Sequence, residues 1–207
     1  DWSSDVCSSD LGNSLNSMEP PMNAFARIDK AAFGEFIQRQ TEGRYEYVRG
    51  LIVQQMTGGT RVHGLVARRM TRLIEDQIEA KSWTVLPERG VETSQTIRYP
   101  EFVVEPADEP AKSLWTNRPS LIVEVLSPSS TFTDLDVKPG EYTSLASLET
   151  YIVASQDEPA CLVWARGADG RFPAEPNEVE GREKIVTVRC GGQDIRLPLA
   201  TIYEGIG

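Results

Sequence analysis

Residues 119–130 read PSLIVEVLSPSS, and the six residues at their centre decide the fold. Leu121, Ile122, Val123, Val125 and Leu126 form a short apolar run bounded by Pro and Ser, the pattern of a strand covered on both faces. One acid interrupts it. Side chains alternate along a strand, so Leu121, Val123 and Val125 take one face while Ile122, Glu124 and Leu126 take the other. A carboxylate buried there is costly unless a cation, a hydrogen-bond network or a metal compensates it. Two readings stand at this point: Glu124 lies at the strand's open end in a salt bridge to an Arg, or it belongs to a site.

Working outward, a second acid, Glu101, follows Pro100 at the mouth of another apolar strand, EFVVEP. Acids at the ends of adjacent strands can converge on one hard cation, which takes oxygen ligands and keeps waters. Lys138 lies in DLDVKPGEY, where a loop enters a helix expected over 139–149. Upstream, the spacing of Ile28, Ala31, Phe33, Phe36 and Ile37 behind Asp29 predicts a helix over 28–40. Residues 45–56 read as a hairpin folded at Arg49-Gly50 and closed by TGGT. Val62, Leu65, Val66, Met70, Leu73, Ile74 and Ile78 predict a long helix from Arg61 to Lys81. Short strands follow over 83–106. Downstream we expect a strand pair around QDEP, a polar loop over 167–183, then a strand, a Gly-Gly turn, an edge strand and a terminal turn. The sum is an α+β or mixed α/β domain, a central sheet flanked by helices.

The 207 residues suit one domain with a real core. No apolar run approaches the roughly 20 residues that cross a bilayer, so no membrane span is expected. With 21 Lys plus Arg against 31 Asp plus Glu, the formal charge of -10 argues against a protein that coats nucleic acid through a basic surface. Cys7, Cys161 and Cys190 are too few and too scattered for a disulfide framework or a zinc site, and point to a reducing cytoplasm. Residues 1–17 carry three Asp and no base, so without them the charge is -7. The run DWSSDVCSSDL, residues 1–11, resembles one reading frame of a sequencing-library adapter fused ahead of a start at Met18 or Met22. We therefore expect a non-native or disordered segment over 1–21 and a single domain over 22–207.

From about Phe36 to the C-terminus the chain resembles the Uma family of restriction endonucleases, a branch of the PD-(D/E)XK nuclease superfamily. The resemblance runs in order through GRYEYVRGLIVQQM, RVHGLVARRMTRLIE, RYPEFVVEP, PSLIVEVLSPSS, DLDVKPGEYTSLASLETYIV and LPLATIYEGI. It implies a restriction-endonuclease-like fold, a mixed β-sheet core flanked by helices. Glu101 matches the family's first acid, Glu124 the second and Lys138 the lysine, which comes from the following helix; Leu126 stands where the superfamily's lysine would otherwise be. Glu46 matches a further acid. Two departures are visible: Glu101 replaces the usual Asp, and Pro139 biases Lys138 toward a cap position outside the helix.

The activity implied is Mg2+- or Mn2+-dependent phosphodiester hydrolysis of a DNA substrate, with Glu101, Glu124 and the Val125 carbonyl holding the metal and Lys138 assisting. A homodimer would supply the two sites that cutting both strands requires. The alternative is a nuclease fold kept as a binding or assembly module. An Arg between Glu101 and Glu124 would favour that alternative. By residue chemistry alone, Glu46 pairs with a neighbouring Arg such as Arg44 or Arg49, and His63 is either a phosphate contact, a base or a helix-start residue. Arg61, Arg68, Arg69 and Arg72 contact a nucleic-acid backbone or form a solvated face. Ser127, Ser129 and Ser130 lack a G-x-S-x-G elbow, which excludes a serine hydrolase. Trp115, Tyr142, Cys161 and Cys190 read as core or rim.

Overall fold

Asp29 starts the first helix as its position demands, its carboxylate accepting from the Ala32 N–H at 2.8 Å. That helix, α1 (Lys30–Arg39), buries Phe33. In this computed structural model the described residues are 27–55, 59–127 and 131–206. The expected segment 1–21, the starts at Met18 and Met22, Cys7, the first half of the TGGT turn, Ser129 and Ser130 lie outside them.

Strands β1 (Arg44–Val48) and β2 (Leu51–Gln55) form the expected hairpin. Arg49 and Gly50 turn it with φ of 51° and 93°, the paired left-handed geometry of a two-residue turn. Helix α2 (Arg61–Glu75) is capped by Thr60, whose hydroxyl accepts from the His63 N–H at 3.1 Å, and buries Val66, Ala67, Met70 and Ile74. It stops short of Lys81. Gln77 binds both backbone groups of Arg196 through its side chain, at 2.9 Å each, and this tertiary clasp ends the helix before the apolar period does.

There follow β3 (Trp83–Pro87), β4 (Gly90–Glu92), β5 (Thr96–Arg98), β6 (Phe102–Pro106), β7 (Trp115–Thr116) and β8 (Leu121–Val125). A π-helical turn (Thr133–Val137) runs into α3 (Lys138–Tyr142). The remainder is β9 (Thr150–Ala154), β10 (Ala160–Ala165), β11 (Asn177–Glu180), β12 (Ile185–Cys190), β13 (Gln193–Pro198) and α4 (Leu199–Ile202).

The expected mixed sheet core is the six-stranded sheet β11-β10-β9-β8-β6-β3, and beside it stand a five-stranded sheet, β2-β1-β5-β4-β7, and the ribbon β12-β13. Two corrections follow. Residues 177–180, expected as loop, are an edge strand paired to β10; only Val179 turns inward, so the sequence there is too polar to announce a strand. The helix expected over 139–149 ends at Tyr142. Leu145 and Leu148 still reach the core, through successive three-residue turns whose hydrogen bonds run Leu145 to Tyr142 and Leu148 to Leu145.

Strand β8 lies inside the six-stranded sheet, antiparallel to β6 and parallel to β9. Its odd residues, Leu121, Val123 and Val125, pack with α2, the ribbon and α4. Ile122 faces the opposite core, with Tyr142, Leu148, Tyr151, Val153 and Trp164. Cys161 and Cys190 are buried, and Trp115 packs beside Phe33, as expected.

Candidate active site

Glu124 is the penultimate residue of β8 and is 6% exposed. Lys138 Nζ donates to its Oε1 at 2.6 Å, and the Tyr142 hydroxyl donates to the same oxygen at 3.3 Å. Burial holds that hydroxyl well above the ordinary phenol range, so it remains a donor. Both of these donors reach Oε1. The ammonium is shared: Nζ also lies 2.8 Å from Oδ1 of the buried Asp134.

Burial pushes the Glu124 carboxyl up to about 7, against the pull of Lys138 and with the help of the Asp134 charge. Burial alone would lower the Lys138 amine. The carboxylates Glu124, Asp134 and Glu46 outweigh it and hold that amine above its ordinary value, so the ammonium persists.

The π turn is what puts Lys138 here. Asp134 and Lys138 are four residues apart, and the Lys138 N–H reaches back five residues to the Thr133 carbonyl. Lys138 is helical, with φ -63° and ψ -34°, which corrects the expectation that Pro139 would drive it out of the helical region. Pro139 has no N–H to contribute and sits in the first turn of α3, where a helix tolerates it. The Tyr151 hydroxyl donates to the Asp134 carbonyl at 3.0 Å and ties the turn down to β9.

Glu101 precedes β6. The first residue of that strand, Phe102, pairs with Val123 of β8, so Glu101 lies at the end of the strand next to the one that carries Glu124. Its Oε2 lies 2.8 Å from Nε2 of His63, the first-turn residue of α2. That hydrogen bond raises the His63 pKa, with burial opposing and the Glu101 and Glu124 charges adding to it. Nδ1 of His63 is buried without a partner among the described residues. Val125, the expected carbonyl ligand, follows Glu124 with its side chain in the core.

Glu46 is 3% exposed on β1 and belongs to a different network. Arg98 Nη1 donates to its Oε2 at 2.7 Å and Gln55 Nε2 at 2.8 Å, while Arg98 Nε and Nη2 grip the two oxygens of Glu141, each at 2.8 Å. Its arginine is therefore Arg98, and neither Arg44 nor Arg49. Arg98 lies between Glu46 and Glu141; the cations beside Glu124 and Glu101 are Lys138 and His63. Sequence reasoning missed Asp134, whose spacing from Lys138 on a helical turn was the available signal. It also missed the His63–Glu101 pairing, for which no local signal exists.

Among the described residues no group of three or more His, Cys, Asp or Glu is arranged around a common metal position, and no helix is long and apolar enough to cross a membrane. The mixed six-stranded sheet with helices packed against it is the expected α+β architecture. The sequence model of the Uma2 family, described as "Putative restriction endonuclease", matches residues 32–199, and the chain belongs to that family. A crystal structure from Anabaena variabilis, of "a putative nuclease belonging to DUF820", shares the fold: the TM-score is 0.66 at 16% identity, over 82% of this chain and 95% of that one. No curated protein matches the chain.

Proposed function

We propose that the protein is a metal-dependent endonuclease that hydrolyses phosphodiester bonds in DNA, with Glu101, Glu124 and Lys138 in its active site. One observation carries this reading beside the family membership: a buried lysine fixed on Oε1 of Glu124, the last residue but one of an interior strand. The donors fit Mg2+ or Mn2+. Carboxylates are hard oxygen ligands, and Mg2+ uses one or two such groups with waters instead of an all-protein cage. Glu101, Glu124 and the Val125 carbonyl are the ligands we assign.

Bound there, the cation supplies Lewis acidity to a phosphoryl oxygen and acidifies a water. Lys138, kept charged by its carboxylates, stabilises the negative charge that builds on the phosphorane or orients the attacking water. Tyr142 and Lys138 together fix the Glu124 rotamer. His63 holds Glu101 by one oxygen and so steadies a side chain one methylene longer than the family's Asp. Glu46, bound to Arg98 and Gln55, supports the fold beside the site. A homodimer gives one such site to each DNA strand.

The rival, a nuclease fold serving as a binding or assembly module, draws on the engagement of both acids by cations of the chain itself. The deciding experiment incubates supercoiled plasmid and linear DNA with protein starting at Met22, in Mg2+, Mn2+ or EDTA, beside Glu124→Ala. Metal-dependent nicking that disappears in Glu124→Ala is the expected outcome. Absence of cleavage by folded protein in either metal would transfer the assignment to the module.

A further inference from the structure

The exposed side of α2 carries a stripe that no other part of the described chain engages. Arg61, Gly64, Arg68 and Arg72 recur there at helical spacing, and the side chains of these arginines make no hydrogen bond or ion pair with the described residues. Arg69 is different: its guanidinium is spent on the Ile202 carbonyl at 2.8 Å. Beside the stripe runs a groove of about 440 Å³, bounded by Gly64, Arg68, Arg72 and Glu75 on the helix and by Pro87 and Glu101 on the sheet. Its Glu101 end is the candidate active site.

Gly64 is the telling residue. Glycine is the poorest helix former after proline, so a helical glycine needs a reason. Packing supplies none, since a Cβ built on Gly64 meets nothing within 4 Å, and its backbone is ordinary helix. What the missing side chain leaves is open space over the helix, next to His63 and Glu101 and in line with two uncommitted guanidinium groups. Guanidinium forks match phosphate oxygens, and in a chain of net charge -10 a cationic stripe beside an open groove selects a local anionic partner.

We propose that this groove is the track of the DNA strand: its sugar-phosphate backbone passes Arg72 and Arg68, crosses closely over Gly64 and reaches Glu101. The inference rests on the nuclease reading for the identity of the strand. Arg68 and Arg72 bind phosphates without reading bases, and Gly64 is a clearance that any side chain would fill.

The test measures fluorescence anisotropy of a short fluorescein-labelled DNA duplex in EDTA, across a salt series, with plasmid nicking in Mg2+ run in parallel. Wild type binds, with log K falling linearly in log salt. Removing two phosphate contacts in Arg68→Gln/Arg72→Gln makes that slope shallower by about 2 and weakens binding on the order of 50-fold near 0.1 M salt. Gly64→Leu weakens binding while raising Tm, a combination that a structural role for the glycine would not produce. Arg171→Gln, an exposed arginine in the loop after β10, is the charge control and binds as wild type does. Unchanged affinity and slope in the groove variants, with nicking intact, overturns the track and leaves the nuclease standing. Binding lost in the groove variants of a protein that never nicks upholds the track and removes the nuclease. A wild type that does not bind the duplex overturns the track.

Discussion

At the scale of the residue, the chemistry gathers on Glu124, a carboxylate held up to about 7 by burial although an ammonium touches it. Its native pKa lies above the ordinary 4.5, so the folded protein binds that proton more tightly than the unfolded chain does. The contribution is therefore complete below about 4.5 and is lost as pH rises toward 7. Without divalent metal, we expect this carboxyl alone to remove up to ~3 kcal/mol of unfolding free energy across that window. Lys138 stays charged throughout, and His63, also raised, pushes in the same direction. Chemical denaturation at a series of pH values should show a flatter profile for Glu124→Gln; the same slope in both proteins would refute the assignment. Glu124 itself was legible as the lone acid of an apolar strand. Asp134 was not, because a polar stretch hides one more acid.

At the scale of the element, local signals were read well where the backbone itself imposed them. The turn joining β12 and β13 uses Gly191 and Gly192 at φ of 61° and 76°, a left-handed pair that the Gly-Gly dipeptide announces. The two glycines are not equivalent. A Cβ on Gly192 meets nothing within 4 Å, whereas one on Gly191 would stand 2.5 Å from the Trp83 ring. Gly192→Ala should lose only the left-handed penalty, ~1–2 kcal/mol, and Gly191→Ala about 1–3 kcal/mol more, for displacing the indole. Urea melts of the two variants compare them directly, and equal losses would remove Trp83 from the account. The polar strand β11 and the early end of α2 escaped the sequence for the converse reason. Each is decided by a partner strand or side chain distant in the chain, β10 in one case and Gln77 on Arg196 in the other.

At the scale of the whole molecule, Arg98 joins the two large sheets' territories. It reaches from β5 to Glu46 on β1 and to Glu141 on α3, and α3 is the element that brings Lys138 onto β8. Replacing it by a neutral chain leaves two carboxylates without their cation in a dry setting. Arg98→Met should cost roughly 3–5 kcal/mol, as for other broken buried pairs, and should lower nicking as Lys138 loses its anchored helix. A loss below ~1 kcal/mol in urea would mean that water replaces the guanidinium and that the network is not what aligns α3.

What the amino-acid order determined by itself was everything settled between near neighbours: the Asp29 cap, the Arg49-Gly50 and Gly191-Gly192 turns, the apolar face of α2 and the burial of Glu124 in its strand. Such features depend on the period of side chains and on backbone dihedrals, which a short window of sequence contains. Only the tertiary structure decided which acid meets which cation. Glu46 and Arg98 are 52 residues apart and His63 and Glu101 are 38 apart, so their pairing is set by strand register and helix docking. Charge attracts any opposite charge, and it is the packing of the sheets and helices that sets Arg98 beside Glu46, His63 beside Glu101 and Lys138 beside Glu124.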